Sequence, residues 1–117
     1  MDLVIDDRPE NVTVVGWAEP TALDASLASE LRDGLRQVEA KTARLVLDMS
    51  QVAFVDSSII GALVGLFRRA RSAGGDLKLA ALTPDVETIF ELTRLQNVFR
   101  ILESVDAAVA EFGSAES

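Results

Sequence analysis

The chain has 117 residues, 49% of them apolar and 26% charged, which suits one ordered globular domain with a single hydrophobic core. Nineteen acidic against eleven basic residues give a net charge of −8, so the surface should repel nucleic-acid phosphates. The sequence contains no His and no Cys, which excludes Ser-His-Asp and Cys-His nucleophiles, disulfides and the usual zinc sites.

These features predict a small non-enzymatic protein without metal or cofactor. The longest nearly uncharged stretch, residues 57–67, is too short to span a bilayer, and no basic and apolar leader begins the sequence. We therefore expect a cytoplasmic protein without membrane or nucleic-acid partners. Residues 1–113 should form one domain, and residues 114–117 read as a frayed tail.

The first third of the chain predicts a hairpin followed by a helix. The β-branched runs Leu3–Ile5 and Val12–Trp17 flank a polar turn, as the two strands of a β-hairpin do. From Thr21 to Ala40, apolar residues recur at helical spacing and predict one surface helix. Its expected buried stripe is Leu23, Leu27, Leu31, Leu35 and Val38.

The remaining elements predict an α/β fold. Two short apolar runs, Arg44–Met49 and Leu77–Leu82, enclose a helix and indicate a parallel β-α-β crossover. Thr83-Pro84-Asp85 has the composition of a helix start, 98–102 is a further short strand, and Ser104 can cap a last helix. The expected architecture is a central mixed sheet of about five strands flanked by about four α-helices.

Asp56, Ser57 and Ser58 stand where an extended apolar stretch gives way to a helical pattern. Asp56 or Ser57 is the expected N-cap, so both serines should lie beside free backbone N–H groups and the positive end of the helix dipole. A phosphate attached there would be stabilised by those donors. Taken alone, the same tripeptide is also an ordinary helix cap.

The helix after Ser57 is more apolar than one buried face requires. With Ile60, Leu63, Val64 and Phe67 as the core-facing stripe, Ala62 and Leu66 project away from the core and Ile59 lies at its edge. We expect these three residues to be covered by another element or to offer a surface to a partner.

Several segments together resemble the STAS family, of the anti-sigma-factor antagonist type. They are Leu45-Val46-Leu47-Asp48, Val52-Ala53-Phe54-Val55-Asp56-Ser57-Ser58, Gly61-Ala62-Leu63, Gly74-Gly75-Asp76-Leu77 and Leu92-Thr93-Arg94-Leu95. The resemblance runs from about Val12 to Phe112 and implies a STAS-like sheet and helices. It also implies that Ser57, the serine directly after the aspartate, is the phosphorylated residue.

The resemblance further implies the partners. An anti-sigma factor that is also a serine kinase of the GHKL type would phosphorylate Ser57, and a PP2C-type phosphatase would remove the phosphate. Only the unphosphorylated protein would sequester the kinase and so free a sigma factor. Besides Ser57, the expected partner-binding residues are Glu19, Asp24, Asp56, Ser58, Ile59, Ala62 and Leu66.

Two positions depart from the family pattern. Ile59 stands where members usually carry Gly after the second hydroxyl residue. Gly16-Trp17-Ala18-Glu19 matches the Gly-x-x-Asp turn with Glu in place of Asp, and Asp24 is the alternative acid for that surface role.

Two alternatives remain open from the sequence. In a response-regulator receiver domain, Asp6 and Asp7 would bind magnesium and Asp48 would accept the phosphoryl group. A STAS-like scaffold or ligand-sensing module would need no phosphate cycle. Because little apolar surface is expected outside the core and the net charge is high, we predict a monomer or weak dimer.

Overall fold

The computed structural model describes residues 2–115. Its strands are β1 (Leu3–Arg8), β2 (Val12–Trp17), β3 (Thr21–Leu23), β4 (Arg44–Asp48), β5 (Val52–Val55), β6 (Asp76–Ala80) and β7 (Arg100–Leu102). Its helices are α1 (Ala28–Glu39), α2 (Ser57–Ser72), α3 (Pro84–Leu92) and α4 (Val105–Ala115). Short 3-10 turns cover Ala25–Leu27 and Leu95–Asn97. Of the predicted tail 114–117, residues 116 and 117 lie outside the described residues.

The main sheet is mixed, as predicted. It has five strands in the order β1-β2-β4-β6-β7, with β1 antiparallel to β2 and the other pairs parallel. The parallel pairing of β4 with β6 confirms the predicted crossover through α2. A separate parallel pair, β3 and β5, lies outside this sheet.

Helices cover both faces of the sheet because side chains of a strand alternate between its faces. In β4, Leu45 and Leu47 join the larger core cluster together with residues of α1, α2 and α3, whereas Val46 joins the smaller cluster with residues of α4. The middle of β4 is therefore apolar on both faces, as the uninterrupted run in the sequence predicted.

The prediction of one helix over Thr21–Ala40 is wrong at its start. Thr21–Leu23 forms β3, which pairs with β5, and α1 begins only at Ala28 after the 3-10 turn. Leu23 is fully buried, but as a strand residue. Its spacing from Leu27 fits a helical stripe by coincidence, and Asp24 begins the helical segment by capping the turn.

The topology does not fit a receiver domain. Asp6 and Asp7 lie within the antiparallel edge strand β1, and β2 separates that strand from the Asp48 strand β4. Asp7 instead accepts a hydrogen bond from the Thr13 hydroxyl (2.8 Å). Across residues 2–115 no group of three or more carboxylates could hold a metal ion. No helix among the same residues is long and apolar enough to cross a membrane.

Candidate functional site

The start of α2 confirms the predicted cap. Asp56 has extended backbone angles and is the N-cap, and its Oδ1 accepts the Ile59 N–H at 3.1 Å. Ser57 is thus the first residue of the helix, and it is exposed, whereas Ser58 is half-buried. The first-turn N–H groups have no intrahelical acceptors, so the Ser57 hydroxyl lies beside backbone donors and the positive end of the dipole.

The β3-β5 pair brings Asp24 to the same place. Leu23 is paired with Val55, so the next residue of each parallel strand, Asp24 and Asp56, emerges at the same end of the pair. The Asp56 N–H donates to the Leu23 carbonyl at 3.2 Å, and Asp56 Oδ2 accepts the Ala25 N–H at 2.8 Å. A single carboxylate therefore holds the beginnings of two helical segments together.

Asp24 is the cap of the neighbouring 3-10 turn. Its Oδ1 accepts hydrogen bonds from both the hydroxyl and the backbone N–H of Ser26. These bonds stabilise the ionised form, the hydroxyl bond most, and lower the pKa of Asp24 below its ordinary value. The site therefore keeps an exposed negative charge beside the Asp56 cap at neutral pH.

Glu19 lies at the other end of β3. It precedes the strand, and its carbonyl accepts the Thr21 hydroxyl at 2.7 Å. Between the two acids that the sequence left open, the structure brings Asp24 next to the start of α2. Glu19 is exposed but at the amino end of the strand.

The predicted core-facing stripe of α2 is wrong, and of the two alternatives for Ile59, Ala62 and Leu66 the structure shows the first, cover by other elements. Ile59, Ala62 and Leu66 are buried, with exposed fractions of 0%, 7% and 0%. The helix turns its 59-62-63-66-70 stripe to the core and leaves Ile60, Val64 and Phe67 half-buried at the edge. Both stripes contain Leu63 and both are apolar, so helical spacing alone could not choose between them. The three buried residues form no free surface.

Phe54 is an exposed aromatic residue beside the site that the sequence interpretation did not single out. Its exposed fraction is 45%, and it precedes Ser57 by three residues. The β3-β5 pairing shifts register here, so that Ala53 is an extra residue between Val52 and Phe54. The irregularity keeps both Val52 and Val55 buried while Phe54 points outward, as β-bulges re-aim side chains. If the side chains of β5 alternated strictly between its two faces, Phe54 would lie on the buried face with Val52.

The outer side of α2 continues the exposed surface. Gly61, one turn after Ser57, is exposed, and a Cβ at this position would meet open space. Val64 is half-buried on the next turn. We refer to Phe54, Ser57, Gly61 and Val64 as the Ser57 surface.

The family model of the STAS domain matches residues 7–108. The chain belongs to the STAS domain family. BtrV of Bordetella bronchiseptica is 29% identical over 102 residues, which cover 87% of this chain and 82% of the relative. The anti-sigma-B factor antagonist of Bacillus subtilis is 29% identical over 87 residues, covering 74% and 80%.

Solved structures show the same STAS fold. An anti-sigma factor antagonist from Mycobacterium paratuberculosis matches with a TM-score of 0.82 at 23% identity, covering 95% of this chain and 92% of that one. The Bacillus antagonist SpoIIAA has been solved in phosphorylated and unphosphorylated forms. Each form matches with a TM-score of 0.69, at 15% and 14% identity, over 94% of this chain and 98% and 96% of SpoIIAA.

Proposed function

We propose that this STAS protein is an anti-sigma factor antagonist that binds an anti-sigma serine kinase of the GHKL type and is released when Ser57 is phosphorylated. The observation that carries the proposal is the exposed Ser57 at the first position of α2, directly after the Asp56 cap. The names of the relatives support the antagonist class. We further propose that this regulatory function takes place in the cytoplasm.

The phosphate cycle needs only groups that a kinase, a phosphatase and this chain supply. The γ-phosphoryl group of ATP is transferred to Ser57 Oγ, ADP leaves, and the hydroxyl proton passes to a base on the kinase. A PP2C-type phosphatase then adds water to the phosphoserine and releases inorganic phosphate. The chain contributes an accessible hydroxyl and no catalytic residue.

The fold can accommodate a phosphate on Ser57. The modification adds about −1.5 to −2 charges at neutral pH, next to free N–H groups and the helix dipole that stabilise anions. The two solved forms of SpoIIAA match this chain with equal TM-scores, so in that relative both forms have the same fold. We expect the phosphate here to leave the fold intact as well.

The partner complex cannot accommodate the same charge. A partner packed on the Ser57 surface would cover Phe54, an exposed aromatic residue of the kind that anchors interfaces, and would cover Ser57 with it. A phosphate at that position would be buried beside the carboxylates of Asp24 and Asp56, and we propose that the partner offers no basic side chain to pair with it. Burying such an unpaired charge costs several kcal/mol, which lowers affinity by orders of magnitude.

The test is phosphorylation in vitro. The chain is incubated with ATP and the GHKL-type serine kinases of the genome that encodes it, and the site is mapped by tandem mass spectrometry. We expect one phosphate on the wild type, none on Ser57→Ala, and one on the matched control Ser58→Ala. Equal labelling of Ser57→Ala and wild type would overturn the assignment of Ser57. If no kinase labels the wild type, a scaffold or ligand-sensing role replaces the switch.

A further inference from the structure

Asp56 makes a contact that a simple helix cap does not need. Oδ1 satisfies its own helix through the Ile59 N–H, while Oδ2 accepts the Ala25 N–H of a segment 31 residues earlier in the chain. The turn Asp24–Leu27 is otherwise held by the Asp24 cap and by the bond from the Leu27 N–H to the Asp24 carbonyl (3.0 Å). The Oδ2 bond thus adds a side-chain hydrogen bond between this turn and the start of α2, beside the packing of Leu27 against the core.

A phosphate on Ser57 acts on that carboxylate directly. The dianion is attached to the residue next to Asp56 and competes for the same first-turn donors, among them the Ile59 N–H. The two anions also repel each other at short range. Rotation of the Asp56 carboxylate away from the phosphate removes the acceptor of the Ala25 N–H.

We propose that Asp56 is a positioning residue that couples Ser57 to the turn Asp24–Leu27, so that phosphorylation changes two parts of the partner-binding surface at once. The first is the charge at Ser57 itself. The second is the position of the Asp24 carboxylate, which shifts when the turn loses the hydrogen bond from the Ala25 N–H to Asp56. This inference rests on the proposed function, although its test needs neither a kinase nor a partner.

The test uses the full chain with phosphoserine installed at position 57 by genetic-code expansion. Amide hydrogen exchange and ¹H–¹⁵N spectra are compared with those of the unmodified chain. We expect the Ala25 amide to exchange about tenfold faster in the phosphorylated chain, because its acceptor is withdrawn, and the Ser26 and Leu27 amide signals to shift.

The variant Ala25→Pro isolates the hydrogen bond. Ala25 is the first residue after the cap, where proline is tolerated, and Asp24 already has the extended backbone that a residue before proline requires (ψ −176°). The variant therefore keeps the turn but lacks the N–H. In Ala25→Pro, phosphoserine 57 should no longer shift the Ser26 and Leu27 signals.

Two results would overturn the proposal. One is an Ala25 amide whose exchange is the same in the phosphorylated and unmodified chains. The other is a shift at Ser26 and Leu27 that is equally large in Ala25→Pro, which would mean that the phosphate acts through space. Either result would overturn the coupling without bearing on whether a kinase labels Ser57. A failure of labelling would likewise not change the result of this measurement, because the phosphoserine is installed genetically.

Discussion

Asp56 and Ser57, which are adjacent at the start of α2, have different roles. Asp56 uses both carboxylate oxygens for backbone N–H groups, whereas the exposed Ser57 hydroxyl remains available for chemistry. The cap was predictable from the sequence, because it depends on residues within one turn. The bond to Ala25 was not, because it exists only through the β3-β5 pairing of distant segments.

Asp56→Ala should destabilise the protein by about 1 to 2 kcal/mol, because two backbone donors lose their acceptor. Ser57→Ala, the matched control at the neighbouring exposed position, should change the free energy of unfolding by less than about 0.5 kcal/mol. Urea denaturation measures both. Equal midpoints for the two variants would mean that the Asp56 bonds contribute nothing to stability.

Because of Glu111 in α4, we expect the free energy of unfolding to fall at acidic pH. Bidentate bonds from Arg100, with added attraction from the buried Lys78 at 3.0 Å, lower the pKa of Glu111 to about 2 from its ordinary value near 4.5, against an opposing effect of burial. A carboxylate with a depressed native pKa stabilises the fold above its unfolded pKa, and this contribution is lost as pH falls from about 4.5 towards 2.

Glu111→Gln should therefore be less stable than wild type by about 1 to 2 kcal/mol at pH 6, a range reduced for the partial exposure of Glu111 and Arg100. The difference should shrink steadily below pH 4.5. Urea denaturation at several pH values checks this. A difference that stays constant down to pH 3 would contradict the assigned ion pairs.

The orientation of α2 shows what periodicity can and cannot decide. The helix and its approximate ends were predictable from Asp56 and from Gly74-Gly75. Its buried face was not, because residues 59–67 are apolar nearly all round, and the choice depends on how α1 and the sheet pack against it. The three-residue strand β3 was missed for a related reason: it is too short to show its own period beside a helix.

Two glycines, one inside α2 and one directly before β6, should respond in opposite ways to replacement by alanine. Gly61→Ala adds a Cβ in open space on an exposed helix position, so it should stabilise the protein by up to about 1 kcal/mol. In Gly75→Ala the new Cβ would overlap the carbonyl oxygen of Ala43, the residue before β4. The backbone at the start of β4 or β6 would have to move, which we expect to cost about 2 kcal/mol or more of stability.

Thermal or urea denaturation of the two variants gives the comparison. A Gly75→Ala protein as stable as wild type would contradict the close approach of Gly75 to the Ala43 carbonyl. Gly61→Ala has a second use, because it alters the Ser57 surface without weakening the fold. Any loss of partner binding in this variant reports on the interface and not on stability.

The molecule as a whole presents little continuous apolar surface. In the described part of the chain the exposed large apolar residues are Val4, Ile5, Phe54, Leu92 and Val98. Val4 and Ile5 are neighbours in β1, where successive side chains point to opposite faces, and the other three lie in β5, at the end of α3 and after the second 3-10 turn. With a net charge of −8, such a surface opposes self-association. We predict a monomer or weak dimer, and light scattering that finds a tight dimer at micromolar concentration would contradict this.

The mixed sheet and its crossover could be predicted because they follow from apolar runs and capping residues along the chain. The family resemblance was also readable, since its motifs are contiguous. The exposure and burial of the residues around Ser57 could not be predicted. The exposure of Phe54 depends on a register shift, and the burial of Ile59, Ala62 and Leu66 depends on the rotation of α2 about its axis. Both are properties of packing between distant segments.

We propose that a charge on Ser57 controls partner binding while leaving the fold unchanged. The direct measurement is the affinity of the anti-sigma kinase for the chain with serine or phosphoserine at position 57, by titration calorimetry, with the melting temperatures of both forms. We predict an affinity reduced about 100-fold or more by the phosphate at nearly equal melting temperatures. Equal affinities of the two forms would contradict the account.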